Sequence, residues 1–402
     1  MNIGIVAPFN PYFISSRLTC DIIPNINTSA NSVNTLVLSL LEAGNTVSVY
    51  TSCGGLRDTK CLEGERVKVF LIPTSPSPKH KWVKGFMCSD YIYMPRRIRN
   101  IINKNLYQHD VLHAHWTYEY AMAVKPFVGK LPVFVTVRDW APYILTTMKT
   151  VVTKINWMAK LFIFRKVMSE DKITFVANST YTYNKIKEEY PGKEVPIIPN
   201  PILKTYIIEE KINKGIKHRF ISIAVSLDDA RKNINKLLEA FQLYRKKYNE
   251  AKLDIIGSYN KQGTNYTSWK EHNLLENVTI HGAKPHDEVI KLIDLSSCLI
   301  HPSLEETFGN ILLEAMSRCV ICIGGEQSGA VPLVLGKGEY GIVCDITNPY
   351  SIVEAMEKQN DELYTKEVTR KATEMLKTNY SSEVVAKMHM DIYKKSMNTH
   401  QL

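Results

Sequence analysis

No Asp-x-Asp triplet occurs in the 402 residues, so the paired carboxylates that hold a divalent ion against a diphosphate in one large class of sugar-transferring enzymes are missing. Nor does any uncharged apolar run reach the roughly 18 residues that a membrane-spanning helix needs. Residues 1–9 (MNIGIVAPF) lack the basic start of an export signal and read as a first strand. The eight cysteines sit mostly inside apolar runs, without the two clustered pairs of a zinc site, and this usage suits a reducing cytoplasm. Cys319-Val-Ile-Cys322 lies where a helix hands over to a strand, whereas a thioredoxin-type pair opens a helix whose N-terminus acidifies the thiol. Gly336-Lys-Gly338-Glu-Tyr-Gly341 matches the dinucleotide fingerprint, but it precedes a strand instead of opening a helix, so no helix N-terminus would face a pyrophosphate.

Hydrophobic residues make up 45% of the chain, which suits packed cores, and the length suits two domains of ordinary size. The formal net charge is +10, and the excess lies in the first half: residues 1–200 carry 24 Lys and Arg against 14 Asp and Glu, while residues 201–402 carry 26 of each. Two segments concentrate it, YIYMPRRIRNIINK (91–104) and MKTVVTKINWMAKLFIFRKVM (148–168), where cations, aromatics and aliphatics interleave at helical spacing. Such helices either lie on an anionic membrane surface or are ordinary surface helices whose aliphatic face packs inward. Amphipathicity alone does not separate the two. Nucleic acid is not an expected partner, because no recognised reading motif accompanies the charge.

Along the chain, NIGIVAP, TVSVYTS, VKVFLIP, VLHAHW, VFVTVRD, ITFVANS and VPIIPN read as short β-branched strands separated by helical patterns. That alternation implies a parallel sheet covered on both faces. Residues 199–217 break the rhythm, and a second series follows: FISIAVS, KLDIIGS, NVTIHGA, SCLIHPS, VICIGG and GIVCDI. The expected fold class is α/β, with two doubly wound Rossmann-like domains facing a cleft. The expected divisions are an N-terminal domain over 1–200, a C-terminal domain over 201–380, and a last helix over 381–402 that packs on either domain, the N-terminal one being favoured. Ligands of such sheets bind outside the carboxyl ends of the strands.

In HPSLEETFGNILLEAMSRC (301–319), SCLIHPS is the strand, 304–307 the turn and Phe308 onward the helix, with Thr307 the candidate cap. Gly309 costs about 1 kcal/mol against alanine in a helix interior, yet near the N-terminus it lets a ligand reach backbone amides, which is how phosphates are commonly held. Glu306 and Glu314 are eight residues apart, about 12 Å for a continuous helical rise, so each acid would accept hydroxyl hydrogen bonds on its own side of a diphosphate. Taken alone, a glutamate in an amphipathic helix is usually solvated and a histidine at a strand end usually serves packing.

The segment Glu306-Thr-Phe-Gly-Asn-Ile-Leu-Leu-Glu314 resembles the Glu-x7-Glu signature of the family 4 retaining glycosyltransferases (glycosyl transferases group 1), which have the GT-B fold. The similarity covers nearly the whole chain, because HAHW (113–116), TVRDW (136–140), VANS (176–179), IPNP (198–201), RKNINKLLEAF (231–241), LDIIG (253–257), NVTIHG (277–282), HPSLEETFGN (301–310) and the Gly-Ala-Val-Pro turn (329–332) follow the order of that family's blocks. The resemblance implies that Glu306 contacts hydroxyls of the donor sugar and Glu314 the ribose. Phe308, Gly309, Asn310 and Ile311 would supply backbone amides, Lys232 would meet the diphosphate with Arg231 as a second cation, and His115 would lie near the transferred sugar.

The implied reaction is transfer with retention from a nucleotide-diphosphate sugar to a glycan or lipid-linked acceptor, in capsule, O-antigen or exopolysaccharide assembly. It would need no cofactor and no metal, the developing charge being stabilised by fixed groups. The implied location is cytoplasmic, peripheral on the inner face of the plasma membrane. Several residues depart from the family's pattern: TSAN (28–31) replaces paired glycines, Val225-Ser226 replaces Gly-Arg, Arg138 stands where histidine is frequent, Cys319 and Ile321 replace Gly and Pro, and Leu333 stands where Glu is common. Two other readings share the fold: a nucleotide-sugar 2-epimerase, and a degenerate, non-catalytic nucleotide-sugar-binding subunit.

Overall fold

Seven strands build the first sheet: β1 (Asn2–Val6), β2 (Thr46–Cys53), β3 (Lys60–Gly64), β4 (Val67–Pro73), β5 (Val111–His115), β6 (Val133–Val137) and β7 (Ile173–Ala177). The computed structural model describes residues 1–20, 22–26, 30–74, 92–148, 150–210 and 216–400. Thr28 and Ser29 of the TSAN segment, Tyr91 and Lys149 of the two basic segments, Cys88, and residues 211–215 of the link lie outside the described residues.

The strand order is β3-β4-β2-β1-β5-β6-β7, and every neighbouring pair is parallel except β3 with β4. β5 and β6 are buried along their whole length, as VLHAH and VFVTV suit a sheet covered on both faces. β3 was not expected from the sequence. In KCLEG only Leu62 is buried, so no apolar alternation marks this short edge strand. Conversely, VPIIPN contributes only the bridge between Ala177 and Ile197, because Pro196 and Pro199 have no N–H to continue a ladder.

One face of this sheet packs against the helix Asn31–Glu42 through Val33, Leu36, Val37 and Leu40, and the same core takes in Val385, Ala386 and Tyr393 of the last helix, Ser382–His400. The other face takes Met94, Ile98 and Ile102 of the helix Met94–Asn105. The chain thus divides into two compact units, Met1–Pro201 with Ser382–Leu402, and Ile202–Ser381. At the entrance and exit of the second unit the chain pairs with itself, Ile202 N–H donating to the Tyr380 carbonyl at 2.8 Å.

The second unit holds β8 (Arg219–Ser226), β9 (Lys252–Ser258), β10 (Val278–Gly282), β11 (Cys298–His301), β12 (Ile321–Gly325) and β13 (Ile342–Cys344). They form an all-parallel sheet in the order β10-β9-β8-β11-β12-β13. All six come from the second series read in the sequence. The order reverses direction between β8 and β11 here, and between β1 and β5 in the first sheet. At such a reversal the segments leaving neighbouring strands diverge, which opens a crevice at the carboxyl ends.

Candidate functional site

The segments after β8 and β11 carry most of the residues singled out from the sequence. The turn Ala230–Lys232 is capped by Asp229, whose carboxylate accepts from the Arg231 amide at 3.0 Å and from its guanidinium Nη2 at 2.6 Å and Nε at 3.2 Å. Arg231 is therefore engaged on its own turn. Lys232 instead reaches 74 residues along the chain and donates through Nζ to Glu306 Oε1. The two segments are also joined through their backbones, Leu304 N–H donating to the Arg231 carbonyl at 2.8 Å.

His301, the last residue of β11, completes the cluster. Its ring is buried, and Nε2 stands 3.3 Å from Glu306 Oε1, off the line of a good hydrogen bond. Burial alone would raise the Glu306 carboxyl, but the Lys232 ammonium and then His301 outweigh it and hold the group far below the ordinary carboxylate range. The sequence reading assigned His301 no role, although it is the first residue of the HPSLEETFGN block and ends a strand.

The helix that follows starts later than the sequence suggests. It spans Asn310–Ser317, and its cap is Gly309 at φ 87°, ψ 58°, not Thr307. A side chain at 309 would be strained in this left-handed conformation, and its Cβ would lie 3.1 Å from Leu312 Cδ1. Phe308 is buried against Tyr380 and does not belong to the first helical turn. Because 306–309 is not helical, the 12 Å separation estimated for a continuous helix does not apply. Gly309 has no side chain to cap the first turn, and the backbone of Gly309, Asn310 and Ile311 opens the helix. The Glu306 carbonyl accepts from Ala330 N–H at 2.8 Å, which anchors the loop to the Gly-Ala-Val-Pro turn.

Glu314 lies in this helix, 8% exposed, with Oε2 3.2 Å from His286 Nε2. Burial would lower His286, but the neighbouring Glu314 carboxylate outweighs it and raises the imidazole above its ordinary value. Tyr206 stacks on the His286 ring at 5.8 Å. Neither His286 nor Tyr206 was marked by any sequence motif. Ser226 ends β8, pairing with Ser258 beyond a register shift, and Val225 beside it is exposed.

His115 belongs to the first unit, as the last residue of β5, and its side chain is buried. Trp116, which follows, has φ 69°, an uncommon value for a bulky residue and one found at functional sites. Arg138 packs over the Trp116 indole at 5.4 Å, and its guanidinium donates to His115 Nδ1, Asn200 Oδ1 and Ser32 Oγ. Lys232, Glu306, Glu314 and the Gly309–Ile311 backbone thus belong to the second unit, and His115 belongs to the first.

Gly336–Gly338 is a short turn between the helix Val331–Val334 and β13, so it precedes a strand as the sequence implied. Cys319 stands two residues before β12 and Cys322 within it, and neither is in a disulfide. Among the described residues no three His, Cys, Asp or Glu side chains come together as a metal site, and no helix is long and apolar enough to cross a membrane.

The two basic segments separate. Met94, Pro95, Ile98 and Ile102 of the helix Met94–Asn105 are buried, so its aliphatic face serves packing. The helix Val151–Met168 buries Phe164, Val167 and Met168, yet leaves Val151, Val152, Ile155, Met158 and Phe162 exposed, Phe162 at 70%. Val151, Ile155, Met158 and Phe162 recur at steps of four, three and four, which puts them in one stripe. Lys154, Arg165 and Lys166 on the same helix are exposed as well.

Residues 207–374 match the family model described as "Glycosyl transferases group 1". The chain is 25% identical over 296 residues to N-acetyl-alpha-D-glucosaminyl L-malate synthase of Bacillus anthracis, covering 71% of this chain and 74% of that protein. Over 180 residues it is 25% identical to the capsular polysaccharide biosynthesis glycosyltransferase CapM of Staphylococcus aureus, covering 44% of this chain and 47% of that protein. In structure it is similar to sucrose-phosphate synthase from Thermosynechococcus elongatus, with a TM-score of 0.77 at 13% identity over 99% of this chain and 100% of that one. The likeness to group 1 glycosyltransferases read from the motifs is thereby borne out, and the two-sheet architecture is the GT-B fold.

Proposed function

We propose that this chain is a retaining, metal-independent glycosyltransferase that moves a sugar from a nucleotide-diphosphate sugar to a glycan or lipid-linked acceptor in cell-surface polysaccharide synthesis. The observation that carries the reading is the convergence at the reversal between β8 and β11, where Lys232, Glu306 and His301 meet beside the start of the helix Asn310–Ser317. Lys232 and the amides at 308–311 take the diphosphate, with Arg231 secondary because Asp229 already holds it. Glu306 accepts hydroxyl hydrogens of the transferred sugar, Glu314 those of the ribose, and His115 contacts the transferred sugar.

In the reaction the bond between the anomeric carbon and the diphosphate oxygen breaks. The acceptor oxygen bonds to the same face, and its proton passes to the leaving diphosphate. Negative charge grows on the diphosphate, so groups fixed beforehand do the stabilising. Lys232 is held in place by Glu306 before any ligand arrives, which suits that task. The likeness to the capsular enzyme supports a polysaccharide setting. The exposed stripe of the helix Val151–Met168, flanked by Lys154, Arg165 and Lys166, supports docking on an anionic membrane, where the acceptor carrier would reside.

Melting the full chain against a panel of nucleotide sugars tests the reading. A true donor at 100 times its dissociation constant adds about 2.7 kcal/mol of stability. The product's anomeric configuration then tests retention, and turnover in excess chelator tests metal independence. A chain that no nucleotide sugar stabilises is not this enzyme.

A further inference from the structure

His115 and His113 lie on the same strand, their rings stacked at 4.4 Å, but they are wired differently. His113 has both ring nitrogens engaged by hydroxyls, Nδ1 with Tyr393 at 2.6 Å and Nε2 with Thr136 at 2.7 Å. A hydroxyl donates or accepts, so these contacts leave the His113 tautomer open. His115 faces a group with no such freedom. Arg138 directs Nε, at 3.2 Å, and Nη2, at 2.9 Å, to His115 Nδ1, and a guanidinium has five N–H donors and no acceptor. Nδ1 must therefore present its lone pair.

A proton on Nδ1 would point at two N–H groups and add a positive charge beside one already there. The single ring proton is thus on Nε2. That nitrogen is buried and has no hydrogen-bond partner among the described residues. It stands at the carboxyl end of β5, next to the order reversal of the first sheet, where sheets of this kind take their ligands. The guanidinium is itself held, Nη1 donating to Asn200 Oδ1 at 2.7 Å and to Ser32 Oγ at 2.9 Å.

We infer that Arg138 is a positioning residue that locks His115 as a neutral imidazole with its proton on Nε2, so that His115 serves as a fixed hydrogen-bond donor to a ligand oxygen and not as a base. The inference rests on the proposed function for the identity of that oxygen, a hydroxyl of the transferred sugar, but the wiring of the ring does not depend on it. The titratable groups acting on His115 are His113 on its own strand, Arg138 after β6, and His389 from the last helix, where Tyr393 faces His113 instead. Burial, and after it His113, Arg138 and His389, push the ring well below its ordinary value, in keeping with that wiring.

The test is the nitrogen spectrum of the full chain labelled with 15N-histidine, with the His115 signals identified by their loss in His115→Gln. The wild type should show a protonated Nε2 and a bare Nδ1, unchanged between about pH 5 and 8, the window in which an ordinary histidine changes charge. A proton on Nδ1, or a ring that titrates in that window, overturns the inference. In Arg138→Met the lock is gone, and the ring should titrate there or populate both tautomers. If that variant does not fold, the wild-type spectrum decides. Kinetics give an independent readout. Gln keeps an N–H near the place of Nε2, so His115→Gln should hold turnover within about tenfold, while His115→Leu should lose about 100-fold. A Gln variant as impaired as the Leu variant would mean a base. Failure of every nucleotide sugar to bind would sink the proposed function and leave the spectrum to stand alone.

Discussion

Replacing Lys232 by alanine removes the cation from a contact in which Lys232 and Glu306 side chains are only 17% and 20% exposed. Breaking such a pair leaves a carboxylate largely out of water, at a cost of about 3 to 5 kcal/mol. The sign with pH is specific. In the wild type the Glu306 carboxyl is depressed below its ordinary 4.5, so its stabilising contribution is fully present above that value and fades only as pH falls through the much lower folded-state value. In Lys232→Ala the foremost group that lowers the carboxyl is gone and burial is opposed only by His301, so the carboxyl moves up from its wild-type value and the stability it contributes above 4.5 shrinks.

Calorimetric melts across pH should therefore show the variant falling further behind the wild type as pH rises. Turnover, measured well below either melting point, should fall by roughly 100-fold or more, the scale for one preorganised electrostatic donor. The double variant Lys232→Ala/Glu306→Gln removes the orphaned charge, so it should recover stability and not turnover. A Lys232→Ala enzyme within about threefold of the wild type, a difference below 1 kcal/mol, would refute the assignment. A melting difference independent of pH would refute the electrostatic account of the cluster.

Arg231→Ala should cost distinctly less turnover than Lys232→Ala, because Asp229 already occupies that guanidinium; steady-state kinetics on both variants checks the order. Glu314→Gln should weaken donor binding by about 1 to 3 kcal/mol in titration calorimetry with turnover less affected. It should also return the His286 imidazole, now raised by that carboxylate, toward or below its ordinary value in a proton NMR titration. Gly309→Ala places a side chain at φ 87° and should destabilise the fold by about 1 to 2 kcal/mol while raising the donor KM, read from melts and kinetics together. Met158→Asp with Phe162→Asp should abolish sedimentation with anionic vesicles and leave transfer to a soluble acceptor intact. Binding to neutral and anionic vesicles alike would remove the electrostatic part of that reading.

Much of the molecule was determined by local sequence. Period-two apolar runs such as FISIAVS and VFVTVRD, alternating with helical patterns, specified two parallel sheets, because a strand buried on both faces must be apolar wherever it sits. The spacing from Glu306 to Glu314 around Gly309 marked the proposed donor-binding segment, because a loop, a left-handed glycine and the first turn of one helix fall within nine consecutive residues. Tertiary structure decided the partners of those groups. Lys232 meets Glu306 across 74 residues, and Arg138 meets His115 across 23, because the strand order brings β8 beside β11 and β5 beside β6. That order is a property of the whole chain, which no local pattern encodes. It also drew His301 and His286 to the two glutamates and left Arg231 with Asp229. The helix Val151–Met168 is apolar on both faces, so its sequence period does not tell inside from outside. Only the neighbours that cover Phe164, Val167 and Met168 do, and the face they leave in water is the one that residues 151, 155, 158 and 162 share.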